Sequence, residues 1–95
     1  MSDRKLYVLY DVLGEGWVGE VLCAAHPAPI VRSFHDLLRD GKSVPGQHPA
    51  DYQILCVGVI AVDGTILAYS PPQVIATGEQ WLVATQTQRE AANVQ

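Results

Sequence analysis

The chain is poor in the features that most quickly assign a function. It has only two cysteines, Cys23 and Cys56, and only six lysines and arginines against ten acids, a net charge of −4. It has no apolar run approaching the roughly 18 residues of a membrane span, and the start MSDRKLYVLYD has no apolar core followed by a small-residue cleavage site. The expectation is a cytosolic protein without a membrane partner. Both cysteines lie in apolar surroundings and read as reduced, buried thiols rather than as a disulfide. Affinity for nucleic acid comes largely from lysine and arginine on phosphates, so this charge balance excludes a coat of basic residues around a duplex. A local patch remains open: Arg32, Arg39 and Lys42 fall close together, with His35 and His48 nearby.

Ninety-five residues, 48% of them hydrophobic, make one core. Lys5–Val12 is rich in β-branched and aromatic residues and runs into the turn GEG at 14–16, after which Trp17–Ala25 is apolar again. The pair reads as a hairpin. Within HPAPIVRSFHDLLRDG, residues Ile30, Val31, Phe34, Leu37 and Leu38 form one stripe of a helix. Pro27 and Pro29 suit its entry, and Gly41 suits a left-handed residue just past its end. Residues 42–51 read as loop. Tyr52–Val62 reads as a long strand, Asp63-Gly64 as a hairpin turn, and Thr65–Tyr69 as the returning strand, which Pro71-Pro72 should stop. Residues 73–84 fit a short helix, an edge strand, or one of each.

The predicted fold is therefore α+β, a two-layer domain with an antiparallel sheet of about four strands and one main helix, in the order ββαββ plus a C-terminal segment. The domain covers 1–84, and 85–95 reads as a polar, flexible tail. Strand parity adds a consequence. Ile54 and Cys56 oppose Leu55 and Val57, and Leu6, Val8 and Tyr10 oppose Tyr7 and Leu9, so both sheet faces are apolar. One helix covers one face. A homo-oligomer, most simply a two-fold dimer, is expected to bury the rest.

No catalytic constellation emerges, and the chain does not read as an enzyme. Asp40-Gly41-Lys42-Ser43 looks like the end of a P-loop, yet it follows a helix and lacks the earlier glycine, which falls at Asp36. Cys23 and His26 supply a single metal-ligand pair where structural zinc takes four ligands, so no metal or other cofactor is expected. Ser33, His35 and Asp36 cannot form a triad from one helix; Arg32 and Asp36 suit an i,i+4 ion pair. The stretch GQHPADYQILCVG, at 46–58, reads as a turn entering a strand rather than a His-Asp-Tyr site. Tyr7, Tyr10, Trp17 and Tyr52 lie on or beside strands. There they serve as core or interface, or as platforms on which unpaired bases stack.

Several short segments recur in an order that is familiar. K-L-Y-V-L-Y-D opens the chain, I-V-R-S-F-H-D-L-L forms the helix, and Q-H-P-A-D-Y leads to I-L-C-V-G and the turn D-G-T-I. This succession resembles the small non-structural protein of gokushoviruses, the tailless single-stranded DNA microphages of bacteria, over roughly residues 5–82. Ala50 stands where that family usually has an acid. The resemblance implies a non-enzymatic phage protein of the infected host's cytoplasm, acting in single-stranded DNA synthesis or packaging. On that reading Arg32, Arg39, Lys42 and His48 contact phosphates, and Tyr10, Trp17 or Tyr52 stack on bases. The competing reading is an assembly module that binds a phage replication protein or a host protein without nucleic acid.

Overall fold

A computed structural model describes residues 3–93, with side-chain surroundings through residue 86. Strands β1 (Arg4–Asp11) and β2 (Gly16–Ala24) are followed by helix α1 (Ala28–Arg39), a short helix α2 (Val44–Gln47) and a 3-10 turn at Pro49–Asp51. Strands β3 (Tyr52–Ile60) and β4 (Ile66–Thr77) and helix α3 (Gly78–Asn93) complete the chain. The sheet is antiparallel in the order β2-β1-β3-β4, so the two strands reached last from the centre are edges. This is the expected α+β fold, with more helix than the sequence suggested.

Helix α1 forms where its apolar stripe can be buried. Ile30, Phe34 and Leu38, at i, i+4 and i+8, are buried, with Val31 half-buried beside them. They pack on Tyr7, Tyr52, Ile54, Cys56 and Ala76, the inward side of the three strands beneath. Each large apolar side chain buried there contributes about 1.5–3 kcal/mol. The helix does not end on a left-handed Gly41. Instead the Asp40 N–H donates to the Leu37 carbonyl at 3.2 Å. The Ser43 hydroxyl donates to the Leu37 and Asp40 carbonyls and accepts the Gly46 N–H, each at 2.9 Å. One side chain thus finishes α1 and starts α2, and the segment expected as loop is a helical turn. A Cβ on Gly46 would fall on the Asp40 carbonyl oxygen, so only glycine allows this close return.

Three strand expectations change. β3 pairs without Val57 against both neighbours: Tyr7 faces Cys56 and Leu6 faces Gly58, while Cys56 faces Gln73 and Gly58 faces Ala68. On the β4 side the skip sets Tyr69 to Pro72 outside the ladder. Prolines there forfeit no ladder hydrogen bond on an edge strand, so Pro71-Pro72 do not stop β4, which resumes pairing to Thr77. Cys56 is buried, as expected, but Cys23 is exposed on edge strand β2; both are free thiols. The ambiguous segment resolves into strand and then helix. Thr77 ends β4, and its hydroxyl accepts the Gln80 N–H at 3.0 Å, capping α3. The polar stretch from 85 is helical through Asn93, and residues 94 and 95 lie outside the described part.

Candidate functional site

Two surfaces carry chemistry, on opposite sides of the sheet. The first runs along the outer side of α1. Arg32, His35 and Arg39 recur at i, i+3 and i+7, so the helix repeat sets them in one row. With Pro27, Val31 and Ile75 they line an open groove between α1 and β4. Arg32 and Arg39 stand about 10 Å apart along the axis. The ion pair differs from the expected one: Asp36 accepts from Arg39, at 2.6 Å, and Arg32 has no acidic partner among the described residues. With both side chains more than 60% exposed, the Arg39–Asp36 pair is a solvent-screened contact that leaves the guanidinium accessible. Lys42 lies exposed three residues beyond the helix; its backbone N–H donates to the Asp40 carboxylate at 3.0 Å.

His48 is exposed, and its backbone does structural work: the N–H donates to the Val44 carbonyl and the carbonyl accepts the Asp51 N–H. The Asp51 carbonyl in turn accepts the Val12 N–H at 2.8 Å, tying the turn to the first hairpin. His-Pro-Ala-Asp-Tyr is therefore a junction piece. Tyr52 belongs to the core, at 7% exposure, and is corrected here as a stacking residue: no base reaches its ring. Its burial raises the phenol pKa above the ordinary 10.0, and the carboxylates of Asp11 and Asp51 add to the rise.

The second surface is the sheet face turned away from α1. Val8, Tyr10, Trp17, Val21, Leu55, Val57 and Pro72 line a shallow apolar dish. Tyr10 faces Trp17 across the β1–β2 ladder, and Leu55 faces Val74 across β3–β4. Trp17 is 59% exposed, Val74 56% and Val21 50%. Parity placed Val8, Tyr10, Leu55 and Val57 here from the sequence. Tyr10 and Trp17 are thus not neighbours of Arg32, Arg39, Lys42 and His48; the sheet lies between the two sets. His35 is the groove residue left out of the expected contact set, although its spacing from Arg32 and Arg39 was visible.

Among the described residues no group of three or more His, Cys, Asp or Glu side chains is arranged to hold a metal ion. Nor is any described helix long and apolar enough to cross a membrane. One buried polar atom stands alone: the Tyr7 hydroxyl, inside the core, has no hydrogen-bond partner.

A protein-family model described as phage ORF5 protein matches residues 4–81, from the first residue of β1 to Trp81, which packs on the core at the start of α3. No curated protein and no solved structure matches. The chain belongs to the phage ORF5 protein family.

Proposed function

We propose that this phage protein is a non-enzymatic accessory factor in single-stranded DNA genome replication or packaging. In this reading it works in the cytoplasm of the infected host, in a phage of the gokushovirus type, and holds single-stranded DNA by its phosphates. The observation that carries the reading is the row of Arg32, His35 and Arg39 in one groove, with Lys42 beyond the helix end. Because Tyr10 and Trp17 are on the other side of the sheet and Tyr52 is buried, base stacking is not part of the contact. Binding should then show little base preference and a steep response to salt. Three cations on a single strand give a slope of about −2 in log affinity against log salt.

Fluorescence anisotropy with a labelled oligonucleotide at low and moderate salt tests the reading. The Arg32→Ala/Arg39→Ala/Lys42→Ala variant should bind at least tenfold more weakly, and equal retention would sink the assignment.

A second reading is favoured by the exposed apolar dish and the net charge of −4. Here the protein is an assembly module for a phage or host protein, with no nucleic acid involved. Absence of oligonucleotide binding even at low salt leaves this reading in place.

A further inference from the structure

We infer that the apolar sheet face is a self-association surface, on which two copies of the chain pack face to face into a two-fold dimer. The inference is independent of whether the α1 groove holds DNA.

Surface area points to a missing partner of definite size. The chain exposes 6618 Å², whereas a folded monomer of 10.3 kDa exposes about 5,400 Å². The excess, roughly 1,200 Å², is more than the ~800 Å² that each partner gives up in a standard interface. Much of it is apolar and lies in one place. α1 covers the inner face of the sheet, and no described element covers the outer one, where Trp17, Val21 and Val74 are each at least half exposed.

The dish also suits a second copy of itself. Its lining residues carry no charge, so pairing two of them desolvates no ion. The net charge of −4 per chain resides outside the dish, where salt screens it within about 8–10 Å. Two such faces pack as a sandwich, with strands nearly aligned and the sheets about 10 Å apart. A two-fold axis parallel to the strands lays β2 of one copy over β4 of the other. Each Trp17 then covers the Val57–Pro72 side of the opposite dish. This arrangement leaves both α1 grooves on the outside.

Sedimentation velocity on the full chain at roughly ten micromolar, a concentration that populates any dimer of useful affinity, reads the answer directly. Wild type should sediment at twice the 10.3 kDa chain mass, and Trp17→Glu and Val74→Lys should each weaken the dimer at least thirtyfold. Both side chains are more than half exposed, so far-UV circular dichroism should match wild type. Val18→Glu and Leu22→Glu, on the opposite side of β2 across from Leu9 and Tyr7, should leave the dimer intact. A monomeric wild type overturns the inference and leaves the dish for an unrelated protein. So does a dimer that resists Trp17→Glu and Val74→Lys but dissociates with Val18→Glu, which would assign pairing to the β2 edge.

Discussion

Gly78 and Pro49 meet backbone to backbone: a Cβ at position 78 would fall on the Pro49 carbonyl oxygen. The start of α3 is therefore seated directly on the turn that precedes β3, and the absence of a side chain is what permits the seat.

Gly78→Ala should accordingly destabilise the fold by about 1–3 kcal/mol, as overpacking does. In a chain of this size that lowers the thermal midpoint by roughly 5–20 °C. Differential scanning calorimetry checks it. An unchanged midpoint would mean that α3 slides off Pro49 at no cost.

The lone Tyr7 hydroxyl gives a prediction of opposite sign. Tyr7 is 0% exposed and its oxygen is unpartnered, and an unsatisfied buried group costs about 1–3 kcal/mol. Tyr7→Phe keeps the ring and removes the oxygen, so stability in urea should stay level or rise by about 1 kcal/mol. A clear loss would reveal a buried water bound to the hydroxyl.

Alkaline pH should unfold the protein through its buried phenols. Burial raises the pKa of both Tyr7 and Tyr52 above the ordinary 10.0. Neighbouring Cys56 and Tyr69 contribute at the first, and Asp11 and Asp51 at the second. The folded state therefore holds these protons more tightly than the unfolded chain. Their contribution to stability is complete below pH ~10 and is lost as pH rises through the raised folded values. Ellipticity followed against phenolate absorbance should show two tyrosines ionising only with unfolding, and Tyr52→Phe should move the transition to higher pH.

The thiols should divide cleanly. Cys23 is exposed on the edge strand and Cys56 is 0% exposed. A colourless thiol reagent that releases a chromophore should titrate one group in the native protein and two in denaturant. Cys23→Ser should abolish the fast phase alone. Two fast thiols would contradict the packing of α1 over β3.

Much of this fold could be read from residue order because the deciding signals are local. The α1 stripe, the Asp63-Gly64 turn and the apolar character of both sheet faces each follow from spacing alone. Gly64 takes a φ of +90° and the Asp63 carboxylate accepts the Thr65 N–H at 2.9 Å. The prolines of β4 misled because their cost depends on whether a strand is an edge, and strand order is not a local property. α3 was hidden by Gly78 at its first position, although Thr77 and Gln80 have the spacing of a helix-start pair. Tyr52 shares parity with Ile54 and Cys56, which was enough to place it inside. The site was less legible. Spacing collected Arg32, His35 and Arg39, but only the sheet's position separated them from Tyr10 and Trp17.

Between Thr77 and Gly78 the chain passes from strand to helix without a single connecting residue. Such a junction has no slack to absorb displacement. Any tug on the edge of the sheet must swing the helix with it, and any load on the helix must be felt along β4. The two elements behave as the arms of one bracket, hinged at neither end and braced from beneath by Pro49.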